Sequence, residues 1–143
     1  MENTNLGGLT LSARIEQLPQ WIQFVAACAR QQGLPSQRIR EIELALEEAI
    51  VNICHYAYPA DSGEIAVTCT VDAQQCFAIE IVDWGIPFDP LSLAAPSLTD
   101  DLANRPVGGL GVLLIRKLMD GVTYRRENGR NILQLIVHQR LEG

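Results

Sequence analysis

Three short groups of residues carry the polar side chains and backbone groups best placed to do chemistry. Glu48 and Asn52 stand four apart in Glu48-Ala49-Ile50-Val51-Asn52, a spacing that puts both on one helix face about one turn apart, so that they can share one ligand. A solvated helix face would look the same. Asp83 ends an apolar run and is followed by Trp84-Gly85. A carboxylate at a strand end can accept a hydrogen bond from a base amino group, and a glycine two residues on lets backbone approach a ligand, although Asp and Gly also close strands for local turn reasons. Gly108-Gly109-Leu110-Gly111 opens an apolar helix, and successive free amides at a helix start suit a phosphate. The loop is no P-loop, having no Gly-Lys-Ser/Thr, and no dinucleotide fingerprint, because Arg105-Pro106-Val107 precedes it and Leu114 stands where the last glycine would be. A flexible hinge is the alternative.

Other elements must hold these groups in place. Leu9, Leu11, Ala13 and Ile15 alternate with polar residues and predict an opening strand from about Leu9 to Ile15. Pro19 suits a first helical turn, and Trp21, Ile22, Val25, Cys28 and Ala29 recur at helical steps until Gly33. A second helix starts at Pro35-Ser36 and ends before Pro59. Ile39, Ile42, Leu46, Ala49 and Ile53 form its apolar stripe, with Glu48 and Asn52 expected at the stripe's edge. Glu64 to Val71 and Cys76 to Asp83 read as a hairpin across residues 72–75. Asn128-Gly129 predicts another between Val122 to Arg126 and Asn131 to His138. From Pro90 to Val107 no period is visible, which suggests a functional lid over about 90–107 or disorder. The order predicts an α+β fold: a two-layer α/β sandwich with a mixed, mostly antiparallel sheet and helices on one face.

At 143 residues and 48% hydrophobic, the chain is expected to be a single domain spanning 1–143. Its formal charge of −6 is the wrong sign for gripping nucleic acid directly. No apolar run is long enough to span a membrane and the start lacks a signal-peptide pattern, so a cytoplasmic address is expected. Cys28, Cys54, Cys69 and Cys76 lack metal-site spacing and are expected to be small buried apolar residues.

Taken in order, the three groups are more specific than any one alone. Glu48-Ala49-Ile50-Val51-Asn52, Asp83-Trp84-Gly85-Ile86-Pro87-Phe88-Asp89-Pro90 and the segment from Gly108 to Asp120 resemble the three nucleotide boxes of GHKL (histidine-kinase-like) ATPases. The likeness is greatest to stand-alone anti-sigma regulatory factors, the serine-protein kinases of bacterial partner-switching systems, and spans about Leu9 to Val137. The resemblance implies the histidine-kinase-like ATPase fold, and ATP with Mg²⁺ as cofactors. It makes Glu48 the general base acting on a target serine and Asn52 the Mg²⁺ ligand. It makes Asp83 the adenine acceptor and Gly85 its clearance. Pro87 and Phe88 belong to the same box, and Gly108, Gly109, Leu110 and Gly111 would wrap the phosphates with the lid. The partners it implies are an anti-sigma-factor antagonist protein and a sigma factor. Whether the chain forms a homodimer is left open. A non-catalytic module whose ATP occupancy switches partner binding is the rival, and retention of Glu48 favours the kinase. The ATP domain of a histidine kinase is a third reading, disfavoured because so few residues precede the first expected strand.

The resemblance meets three departures, one of them Glu47, which adjoins Glu48 but points about 100° away around the helix, so that only Glu48 is four residues from Asn52. The threonine that supports adenine through water falls at Gln134, and the histidine four residues after the motif asparagine is Tyr56, with His55 expected to be a capping or surface residue. Arg125, Arg126 and Arg130 cluster at the last hairpin and suit either a docking patch or a solvated tip. Trp21 and Trp84 are open between core and interface.

Overall fold

The computed structural model describes residues 3–58, 63–92 and 109–139. Its elements follow the expected order: β1 (Thr4–Ser12), α1 (Leu18–Gln31), α2 (Ser36–Tyr56), β2 (Glu64–Val71), β3 (Phe77–Asp83), α3 (Gly109–Leu118), β4 (Gly121–Glu127) and β5 (Arg130–Val137). Short 3-10 turns occupy Ile15–Gln17 and Pro90–Ser92. Of the expected lid over 90–107, only this second turn lies within the described residues.

Local chemistry explains most boundaries. Proline in the first turn starts α1, and Gly33, at φ +80°, takes the left-handed conformation that ends it. Extended Pro35 precedes α2 and accepts the Ile39 amide. In the first hairpin Asp72 Oδ1 accepts the amides of Gln74 and Cys76, which holds the turn. In the second, Asn128 and Gly129 both have positive φ, as a two-residue primed turn requires.

The first strand departs from expectation. It runs Thr4–Ser12 rather than Leu9 to Ile15, and Ile15 instead opens a 3-10 turn. Pairing with β2 recruits Thr4 through Gly8, with a bulge between Asn5 and Gly7. A single apolar residue, Leu6, among polar residues and glycines gives no alternation to detect, and Gly7 holds a positive φ there.

The five strands lie in the order β1-β2-β3-β5-β4. Every neighbouring pair is antiparallel, so the expected mixed sheet is antiparallel throughout. Period two sorts the side chains. One face presents Leu9, Ile65, Val67, Cys69, Phe77, Ile79, Ile81, Leu133 and Leu135 to α1 and α2, whose Trp21, Val25, Ile42, Leu46 and Ile50 complete the core. The other face carries Thr68, Thr70, Glu80, Thr123 and Gln134 around a short apolar row, Val82 paired with Ile132. Burying each large apolar side chain contributes about 1.5–3 kcal/mol, and Trp21 also donates its Nε1–H to the Leu9 carbonyl at 3.2 Å. Trp21 is thus core.

Cys28 and Cys69 are buried, as expected, and burial pushes the Cys69 thiol far above the usual thiol range. Cys54 and Cys76 are only partly covered, because they sit at the end of α2 and at a hairpin rather than mid-element. No helix among the described residues is long and apolar enough to cross a membrane.

Candidate functional site

The site is built on the last two turns of α2. Ala45, Ala49 and Asn52 follow one another at steps of four and three, so Asn52 lies on the buried face of the helix and is fully inaccessible. It is inside the packed face, not at its edge as the sequence suggested. Neither amide atom of Asn52 has a hydrogen-bond partner among the described residues. A buried amide left in this state costs about 1–3 kcal/mol, which a ligand bonding it would offset. Its carbonyl oxygen is a hard donor, so the residue present would fit the Mg²⁺ that the resemblance implies. One turn earlier, Glu48 is half-buried at the rim. Burial first, then the neighbouring Glu47 carboxylate, raises its pKa above the ordinary glutamate value.

Asp83 ends β3 and faces the same interior, only 1% exposed. The Gly85 amide donates to its Oδ1 at 2.9 Å and Asn131 Nδ2 donates to the same oxygen at 2.8 Å. Neither bond uses Oδ2. Burial raises the Asp83 pKa, opposed by the Asn131 and Gly85 hydrogen bonds and by the Arg126 charge.

The loop after Asp83 is fastened to the end of α2. Ile86 donates its amide to the Ala57 carbonyl at 3.0 Å, and a Cβ on Gly85 would collide with that carbonyl oxygen. Gly85 is therefore demanded by packing against the helix end, a role distinct from the ligand clearance expected of it. Tyr58 Oη donates to the Glu64 carbonyl and accepts the Trp84 amide, tying helix, β2 and loop together. Tyr56, in the position of the family's histidine, stacks on Phe88 at 5.0 Å between ring centroids. Pro87 and His55 are exposed. Because Asn52 lies five residues before Ala57 on the helix, it and the Asp83 loop are separated by about 8 Å along the helix axis.

Sequence reasoning missed Asn131. It is 3% exposed and sits directly opposite Asp83 in the β3–β5 register. Its Nδ2 donates to Asp83 Oδ1 and to the Ile86 carbonyl, and its Oδ1 accepts from the Phe88 amide and from Tyr124 Oη. Gln134 cannot take this place, since it pairs with Glu80 and an odd offset of three turns it to the sheet's other face. Period two counted back from Leu133 would have put Asn131 on the apolar face beside Asp83.

Gly109, Leu110 and Gly111 form the first turn of α3, where backbone amides have no partner within the helix. Gly108 lies outside the described residues. α3 packs on α2, and Arg38 near the start of α2 donates to the Leu118 carbonyl at the end of α3 and to Asp120. The last residue of α3 is thus held beside the start of α2.

The chain is similar to known proteins over most of its length. Serine-protein kinase RsbW of Bacillus cereus strain AH820 is 29% identical over 120 residues, covering 81% of this chain and 74% of that protein. The serine-protein kinases RsbW of Bacillus anthracis strain A0248 and Bacillus thuringiensis strain Al Hakam match with the same identity and coverage. The sequence model of the histidine kinase-like ATPase domain matches residues 11–137, nearly the whole sheet and all three helices, and the chain belongs to that family.

Proposed function

We propose that the chain binds Mg-ATP and transfers its terminal phosphoryl group to a serine of a partner protein, as an anti-sigma regulatory kinase acting in the cytoplasm. The observation that carries it is Asn52, a buried amide without a partner among the described residues, on the helix to whose end the loop after Asp83 is fastened. Asp83 accepts the adenine amino group on Oδ2, its Oδ1 being held by Asn131 and Gly85. Asn52 holds the metal, which when bound neutralises phosphate charge. The amides of Gly109, Leu110 and Gly111 receive phosphate oxygens. Glu48 takes the serine proton. Its raised pKa brings a carboxylate closer to neutrality, where a general base works well.

The protein acted on would be an anti-sigma-factor antagonist, and the protein held in its absence a sigma factor. The names of the Bacillus relatives support the kinase half of this reading. Glu48→Gln tests it with labelled ATP and the cognate antagonist. The change keeps the size of the side chain but cannot accept a proton, so nucleotide affinity should hold while transfer falls about 10²- to 10⁴-fold. The acid limb of the wild-type rate profile should also titrate above the ordinary glutamate pKa. Unchanged transfer in the variant would remove Glu48 as the base.

A further inference from the structure

Large apolar side chains on a rigid loop usually face inward, but the loop after β3 turns them out. Trp84 is 49% exposed and Ile86 is 53% exposed, and Pro87 beside them is exposed as well. This is not for want of order. The amides of Trp84, Gly85 and Ile86 are all bonded, to Tyr58, Asp83 and Ala57, and the carbonyls of Gly85 and Ile86 accept from Arg126 and Asn131. A surface fixed in this way loses little conformational freedom on association.

The charge beside it is equally one-sided. Arg126 reaches Gly85 from β4, which brings the β4–β5 hairpin against the loop. Between residues 125 and 130 the hairpin carries three arginines against one glutamate, on a chain whose formal charge is −6. Glu127 is shared between Arg125 at 3.1 Å and Arg130 at 3.8 Å. Tryptophan and arginine are the residues most enriched where protein interfaces hold most of their binding energy. We infer that Trp84, Ile86 and the arginine hairpin form a docking surface for a protein partner that presents apolar side chains beside carboxylates. An anionic membrane is a poorer match, because the chain as a whole repels it and two side chains anchor little area.

A random peptide library displayed on phage tests this without nucleotide, so the outcome does not depend on ATP binding. Wild type is the target and Trp84→Ser/Ile86→Ser the counter-target; both side chains are exposed, and matching thermal midpoints verify the variant's fold. Enriched peptides should combine apolar residues with Asp or Glu. Synthesised, they should bind wild type about tenfold or more tightly than the double variant, and lose affinity to Arg125→Glu and Arg130→Glu. No enrichment over the counter-target, enrichment of basic peptides, or affinity indifferent to the arginines would overturn the inference. So would sedimentation of the wild type with phosphatidylserine vesicles that the double variant does not bind.

Discussion

Asn52 and Asn131 are the same side chain in nearly the same burial, 0% and 3% exposed. Asn131 makes four hydrogen bonds, to Asp83, Ile86, Phe88 and Tyr124, whereas Asn52 makes none among the described residues. The difference separates a residue that builds the fold from one held ready for something else. A fully bonded buried amide fixes its neighbours, while an orphaned one opposes folding until a ligand meets it.

The comparison breaks most visibly at Asn131. Asn131→Leu strips partners from the Ile86 carbonyl, the Phe88 amide and the Tyr124 hydroxyl, and one donor from Asp83. Each buried group left unpaired costs about 1–3 kcal/mol, so denaturant unfolding should show a loss of at least about 3 kcal/mol. A loss below about 1 kcal/mol would mean that water replaces the asparagine and that the network is not structural. Next comes Asp83→Asn. The new side chain can still accept from Gly85 and Asn131 through its carbonyl oxygen, so the fold should hold, but on the proposed reading an amide would face the adenine amino group. Calorimetry should record nucleotide affinity weakened by about 1.5–3 kcal/mol, the value of a charge-assisted bond. Equal affinity in the folded variant would take Asp83 out of the site.

Much of this was legible from sequence, and the parts that were not have identifiable causes. The helices and both hairpins follow from period, proline, glycine and Asn-Gly. The start of β1 was hidden because an edge strand with one leucine among threonine, asparagine and glycine has no alternation, and only its register with β2 defines it. Glu48, Asn52 and Asp83 could be picked out as candidates by type, spacing and order along the chain. Asn131 could not be picked out by type, since its role comes from standing opposite Asp83, a relation between strands 48 positions apart. The burial of Asn52 was in the sequence, three residues after Ala49, but a polar residue beside a stripe is easily assigned to its edge.

Asn52→Leu sharpens the comparison from the other side. Leucine is close in volume and removes two polar atoms that have no partner among the described residues, so the variant should be as stable as wild type or more stable, by up to about 1–3 kcal/mol. Mg-ATP binding should fall at the same time. This opposition of signs is what a merely structural asparagine would not give. A destabilised variant that still binds Mg-ATP would make Asn52 an ordinary core residue.

The smallest effect lies outside the site, at a polar group that is satisfied but exposed. Burial works to raise the pKa of Asp120, but the His138 amide at 2.8 Å and the Arg38 guanidinium at 2.7 Å outweigh it, and the net shift is downward from 3.8. A carboxylate whose folded pKa is depressed gives stability that is present above its unfolded value and lost as pH falls through the folded one. Asp120→Asn removes that titration. Glu48 and Asp83, with raised values, act in the opposite direction, since protonation relieves the burial of their charge. Thermal midpoints measured from pH 6 down to pH 3 in wild type and Asp120→Asn cancel those two groups and leave only Asp120. Wild type should be the more stable near pH 6, by no more than about 1 kcal/mol because the pair is partly exposed, and the gap should close as pH falls below about 4. A gap that persists at the lowest pH would mean that Asp120 works through packing or neutral hydrogen bonds, and that Arg38 holds α3 through the Leu118 carbonyl alone.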